Sequence, residues 1–229
     1  MLFILLAVIP FLVDTVIGLL GGARLSTSNP RYIIAFSSGV VISAAFFELL
    51  PEANIEANSI FVALGFFLFY FVEKVTMLHA CGEEECEVHT LGPLSVLGMA
   101  LDNIVDGMGI AVATLLNPWL GITITVAVVS HEIPQALTSL YIMGGLSKPY
   151  RETFLMLFVA GIMYPLGASL SIFIPTNYYS IVVALVAGVF LYVGAGDLLL
   201  EAHRSFNWKV VVAVLIGATL GLLISVLGA

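Results

Sequence analysis

Phe61-Val62-Ala63-Leu64-Gly65-Phe66-Phe67-Leu68-Phe69-Tyr70-Phe71-Val72 is a run of twelve residues with no charge and no alternation of polar with apolar side chains. A strand of a membrane β-barrel alternates over about ten residues because one face meets lipid and the other the lumen. This run does not alternate, so it reads as part of a helix, and a helix needs roughly 20 apolar residues to cross the hydrocarbon core. Seven further segments have the same character. The spans read from the sequence are Leu2–Gly21, Tyr32–Leu50, Ile60–His79, Leu91–Leu116, Leu120–Gly144, Thr153–Ile174, Tyr179–Leu200 and Asn207–Leu227. Hydrophobic residues make up 61% of the chain and charged ones 10%, against about 25% charged in ordinary soluble domains. The expected fold is therefore all-α: a multi-pass membrane helical bundle of eight transmembrane helices, one transmembrane domain over residues 1–229 with short loops.

The first span starts at Met1 with no basic n-region and no convincing cleavage site, so it is expected to be a retained helix rather than a signal peptide. With eight spans the seven basic residues, Arg24, Arg31, Lys74, Lys148, Arg151, Arg204 and Lys209, all fall at one membrane face. The positive-inside rule makes that face cytoplasmic. Both termini are then outside, and the loop 79–90 between the third and fourth helices is inside. The expected location is the plasma membrane. A net charge of −8 argues against nucleic acid and, with acids inside the spans, for cations. A homodimer is compatible with the sequence.

An internal repeat adds a plan. Gly39-Val40 followed by Glu48-Leu49-Leu50-Pro51-Glu52-Ala53 matches Gly188-Val189 followed by Asp197-Leu198-Leu199-Leu200-Glu201-Ala202, at a constant offset of 149 residues. The first copy ends helix 2 on the outside and the second ends helix 7 on the inside. Inverted-topology repeats of this kind are what many secondary transporters use for alternating access. The expected arrangement is 3+2+3, with helices 1–3 and 6–8 around a central pair, helices 4 and 5.

That central pair carries the polar residues. Helix 4 reads Asp102-Asn103-Ile104-Val105-Asp106-Gly107, and helix 5 reads His131-Glu132-Ile133-Pro134-Gln135. Asp102 and Asp106 are one helical turn apart and share a face, as do His131 and Gln135. The two helices join at Asn117-Pro118-Trp119. At 1.5 Å per residue, Asp106 and Glu132 lie about 18 and 21 Å from that tip, facing each other near mid-membrane. An Asp at a helix centre costs about 2.5–3.5 kcal/mol on translocon scales, and no Lys or Arg lies at that depth in any span. A divalent cation is the simplest compensation, since carboxylate, imidazole and amide oxygen together form a metal-ligand set. Hydrogen bonding among protonated acids is the structural alternative. Pro134 has no N–H to give the Ser130 carbonyl, which leaves a backbone oxygen beside His131 as one more candidate donor atom.

The chain resembles the Zrt-/Irt-like (ZIP) family of metal transporters. The family pattern His-Asn-x-x-Asp/Glu-Gly in helix 4 appears as Asp102-Asn103-Ile104-Val105-Asp106-Gly107, and its His-Glu-x-Pro-His in helix 5 as His131-Glu132-Ile133-Pro134-Gln135. The helix 2 ending Glu48-Leu49-Leu50-Pro51-Glu52-Ala53 and the segment Ala187–Glu201 resemble the family's corresponding segments. The resemblance implies a transporter and not an enzyme, with no resident cofactor. Its cargo would be a divalent transition-metal ion, zinc first and ferrous iron or manganese next. It implies alternating access through a site between helices 4 and 5, with one helix group sliding against another. The implied ligands are Asp102, Asp106, His131 and Glu132, with Asn103 and Gln135 as weaker oxygen ligands. Asp102 stands where the family usually has histidine, Gln135 where it has His or Glu, and Tyr164, before Pro165-Leu166-Gly167, where some members have a helix 6 Glu. Members can hold two adjacent metals; here the expectation is one strong site.

Further candidates lie outside the pair. The loop containing His79, Cys81, Cys86 and His89 has thiols spaced as in zinc sites and resembles a short form of the family's metal-rich cytoplasmic loop. The two cysteines share this one loop and give no disulfide framework. Glu48 and Glu52 near the outer surface, and Asp197, Glu201 and His203 near the inner one, are candidate acidic mouths that concentrate cations. Asp14 lies deep in helix 1, where it either lines the path or makes a buried hydrogen bond. Two rival functions remain. His131-Glu132-Ile133-Pro134-Gln135 is one residue short of the His-Glu-x-x-His helix of an intramembrane zinc metalloprotease, and a metal sensor or channel could use the same cluster.

Overall fold

The computed structural model describes residues 1–20, 31–76, 93–145, 149–204 and 206–228, and among these the secondary structure is helical with no strand. Eight helices are long and apolar enough to cross a membrane. They are α1 Leu2–Leu20, α2 Arg31–Glu52, α3 Ile55–Thr76, α4 Pro93–Leu116, α5 Pro118–Gly145, α6 Tyr150–Phe173, α7 Thr176–Ala202 and α8 Trp208–Gly228. Inside lipid a helix satisfies its own backbone polar groups, which water cannot do there. The run Phe61–Val72 shows the consequence: Phe67, Leu68 and Phe71 on α3 are largely exposed at the rim of the bundle, where their only apolar solvent is lipid. Arg24, Lys148 and the loop residues His79, Cys81, Cys86 and His89 lie outside the described residues.

Helix boundaries differ from the sequence reading at polar ends. α3 starts at Ile55 rather than Ile60. Asn54 takes a left-handed conformation (φ 50°) that turns the chain, and Asn58 donates its side-chain amide to the Ala53 carbonyl at 2.8 Å. Polar Glu56 and Asn58 therefore belong to the first turn of the helix and not to a loop. α6 likewise starts at Tyr150 rather than Thr153, and α7 extends to Thr176 and Ala202.

Helix pairing repeats between the two halves of the chain. α2 packs along α8, and α3 along α7. At the first interface Gly39 lies against the Val214 backbone and Gly217 against that of Phe36; at the second, Gly188 lies against Val62 and Gly65 against Leu185. A Cβ at any of the four would collide with a carbonyl. Gly39 and Gly188, and equally Phe36 and Leu185, are separated by the same 149 residues as the sequence repeat. The distortions repeat too. α2 widens into π-helical turns over Ala45–Leu49 and α7 over Tyr192–Leu198, placing Glu48 and Asp197 at corresponding points.

The remaining helices form a second group: α4 lies against α6, and α1 against α5 and α6. Gly107 meets the Tyr164 backbone and Gly167 that of Ile104, so α4 and α6 approach closely just where the polar residues sit. α4 and α5 are well enclosed, as the 3+2+3 plan expects, but α2 and α7 are enclosed to the same degree, while α1, α3 and α8 present most of their surface outward.

Candidate metal centre

The i, i+4 spacing on α4 does what helical geometry requires. Asp102 and Asp106 project from one face toward His131 on α5, and all three are about 1% exposed. The His131 Nε2 lies 3.1 Å from Asp106 Oδ2. One ligand atom from each of the three side chains lies within 4.8 Å of the others. Donor atoms held at about 2.1 Å from a common zinc are about 3–4 Å apart, so a small contraction of the cluster would close it on an ion.

The imidazole is oriented for that role. His131 Nδ1 is 3.2 Å from the Ala127 carbonyl, one turn earlier on α5. A carbonyl can only accept, so Nδ1 carries a hydrogen, and Nε2 is left facing the two aspartates as the nitrogen a metal would take. The ring edge also packs against Phe190 of α7, with centroids 6.1 Å apart. Asp102 Oδ1 and Asp106 Oδ1 are buried without a hydrogen-bond partner, and His131 Nε2 and Asp106 Oδ2 face each other at 3.1 Å. Unpaired buried acceptors are costly, and a divalent cation would satisfy all of them at once.

The rest of the sequence-read set is arranged around this cluster. Glu132 is fully buried, and Tyr164 of α6 donates its hydroxyl to Glu132 Oε2. Tyr164, at the position where some family members have a helix 6 Glu, thus holds its neighbour on α5 in place. Asn103 uses its amide nitrogen to anchor to the Ala160 carbonyl of α6 at 2.9 Å, which leaves its oxygen free as a donor atom. Gln135 is half-buried with an unpartnered amide nitrogen. The carbonyl freed by Pro134 is in use: Ser37 of α2 donates its hydroxyl to Ser130 O. α5 therefore stays helical across the proline, and that oxygen is no open ligand in this conformation.

The outlying acids fall into place along the bundle. Glu48 is half-buried near Thr123 and Ser225, and Glu52 is exposed. At the opposite end Glu201 pairs with Arg204 at 3.1 Å, His203 Nδ1 donates to the Leu199 carbonyl at 3.1 Å, and Asp197 is half-buried. Glu73 of α3 escaped the sequence reading because it precedes Lys74 and looks like half of a helix-end ion pair. That pair exists, at 3.3 Å, but Glu73 is buried, and it also interacts with Tyr192 of α7 and with Asp102.

Eight membrane-crossing helices and a carboxylate–imidazole cluster enclosed at their centre define a multi-pass integral membrane protein with ionisable groups buried at bilayer depth. The family model described as ZIP Zinc transporter matches residues 78–227, and the chain belongs to that family. The zinc transporter ZupT of Chlorobaculum parvum is 24% identical over 93% of this chain and 92% of its own length. ZupT of Chlorobium chlorochromatii is also 24% identical, over 83% and 84%. The human metal cation symporter ZIP8 is 26% identical over 56% of this chain, which spans only 28% of that relative's length.

Proposed function

We propose that this protein carries divalent transition-metal ions, zinc foremost, across a membrane, binding them at Asp102, Asp106 and His131. The observation that supports this most is the set of buried, unpaired donor atoms on two facing helices. Family membership and the two ZupT relatives, each matched over most of its length, support the transport reading. Glu132, steadied by Tyr164, and the Asn103 oxygen extend the ligand set, and Gln135 supplies a weaker amide. One imidazole among oxygen donors favours zinc while leaving manganese and ferrous iron able to compete. A zinc hydrolase would need a second imidazole at position 135, where this chain has glutamine.

Access would alternate by movement of the group α1, α4, α5 and α6, which carries the cluster, against α2, α3, α7 and α8. Glu48 and Glu52 at one end, and Glu73, Asp197, Glu201 and His203 at the other, would line the approaches. The basic residues orient the termini outward and the loop 79–90 toward the cytoplasm, with the plasma membrane as the site of action. His79, Cys81, Cys86 and His89 would catch metal there without lying on the obligatory path. The cluster is complete within one chain, so transport does not depend on the homodimer that the sequence allows.

The test is uptake by the purified protein in vesicles. Zinc uptake should be saturable, inhibited by manganese or ferrous iron, and abolished in Asp106→Asn. Uptake that never saturates would indicate a pore, and binding without uptake a sensor.

A further inference from the structure

Pro134 interrupts the hydrogen bonding of α5. In an unbroken helix the Ser130 carbonyl accepts from the backbone N–H of residue 134, and proline has none to give. The Ser130 hydroxyl is committed elsewhere, to the Ala127 carbonyl at 2.7 Å. The donor comes instead from 93 residues away: Ser37 of α2, about 1% exposed, gives its hydroxyl to Ser130 O. Hydroxyls buried in a helix commonly donate back along it, as Thr114 does to Ile110 O at 2.6 Å and Thr125 to Gly121 O at 2.7 Å. Ser37 crosses to α5 instead. Its neighbour Ser38 is a contrast, donating to Gly194 O of α7 at 3.0 Å, within the group α2, α3, α7 and α8.

The place of the acceptor gives this bond its consequence. The Ser130 carbonyl and the His131 N–H belong to one planar peptide unit, so a hydroxyl that grips this oxygen fixes the backbone from which the His131 side chain springs. The ring has a tie of its own, with Nδ1 3.2 Å from the Ala127 carbonyl, and its Nε2 is 3.1 Å from Asp106 Oδ2. The Ala127 tie lies within α5 and travels with it. The Ser37 tie comes from α2, in the other helix group. A buried carbonyl left without a donor is costly, so displacement of α2 leaves this peptide unit to turn toward another partner.

We propose that Ser37 is a positioning residue for the metal centre: by holding the carbonyl that Pro134 frees, it sets His131 for tight binding in this conformation, and it loosens His131 when α2 slides along α5. It acts through the backbone of α5 and supplies no ligand atom. The bond thereby couples the affinity of the centre to the relative position of the two helix groups. This rests on the reading of His131 as a metal ligand.

The test is the zinc affinity of the purified, detergent-solubilised full chain, measured by isothermal titration calorimetry. Ser37→Ala should weaken zinc binding about tenfold, the lower end of what partners behind a metal ligand contribute. Ser38→Ala removes a buried hydrogen bond of the same kind within one helix group and should leave the affinity at the wild-type value, which separates positioning from a general loss of packing. Pro134→Ala restores an N–H to the Ser130 carbonyl, so in that background Ser37→Ala should have little further effect. Equal affinity in Ser37→Ala and wild type, equal losses in Ser37→Ala and Ser38→Ala, or equal weakening by Ser37→Ala with and without Pro134→Ala overturns the proposal. Where Pro134→Ala itself abolishes zinc binding, the comparison of Ser37→Ala with Ser38→Ala decides alone. Unchanged affinity in His131→Ala would instead strike the ligand reading on which the proposal rests.

Discussion

The helices α2, α3, α7 and α8 and the helices α1, α4, α5 and α6 use the same packing device and put it to different ends. In both groups a glycine lets one backbone rest on another: Gly39 on Val214 and Gly188 on Val62 in the first, Gly107 on Tyr164 in the second. The first group is knit by apolar side chains, including Phe66 and Phe69 around Tyr192, and by serine hydroxyls of α2 that Ser38 and Ser43 donate to the Gly194 and Ala218 carbonyls. The second encloses Asp14, Asp102, Asn103, Asp106, His131 and Glu132. Contacts between the groups include single polar links such as Ser37 to Ser130 O, and Trp119 Nε1 donating to the Ile224 carbonyl at 3.1 Å. The densest set of buried acids therefore lies in the second group, around the cluster proposed to hold the metal. A boundary with individual, exchangeable hydrogen bonds suits relative sliding.

The largest effect should come from removing charge in the group α1, α4, α5 and α6. Asp106→Asn and Glu132→Gln keep shape and each remove one carboxylate charge from the proposed metal site. Outer-shell changes at metal sites already cost about 10–100-fold, so zinc uptake in vesicles should fall about 100-fold or more while the protein remains folded. Wild-type uptake in both variants would reduce the cluster to a structural feature. A change confined to the other group should act on folding. Gly39→Val and Gly188→Val each drive a side chain into a neighbouring backbone and should each cost about 3 kcal/mol or more, a typical upper figure for overpacking. Thermal unfolding in detergent should show similar losses for both, because the two positions are equivalent in the repeat. A loss at one and not the other would break that equivalence.

The smallest effect sharpens selectivity. Asp102→His adds a second imidazole beside His131 and should raise the preference for zinc over manganese several-fold, on the order of 1 kcal/mol. The measurement is manganese inhibition of zinc uptake in the variant and in wild type. An unchanged ratio would remove Asp102 from the ligands.

Much of this was legible in the residues because it depends on periodicity. Runs such as Phe61–Val72 specify the spans, and the i, i+4 pair Asp102 and Asp106 specifies a face before any neighbour is known. Glu132, next to His131, could be set at the depth of Asp106 by counting from Pro118. What stayed hidden depends on partners far along the chain. A lone acid in a helix carries no spacing signal, so the neighbours of Asp14, Gly161 of α6 and Glu132 of α5, could not be foreseen. Pro134 announces a freed carbonyl, but nothing in the sequence says that Ser37, 93 residues away, will take it. Glu73 next to Lys74 has the local signature of a solvated pair, and only the packing of α7 buries it. Tyr164 could be aligned with a family carboxylate, whereas its hydrogen bond to Glu132 is a matter of three-dimensional placement.

Zinc held between α4 and α5, as proposed, can be tested by X-ray absorption at the zinc edge, which reads its ligands directly. Protein loaded with one equivalent of zinc should show one imidazole nitrogen within a shell of oxygen donors, and that imidazole signature should vanish in His131→Ala. A shell dominated by sulfur, pointing to Cys81 and Cys86, or an imidazole that persists in His131→Ala would contradict the account.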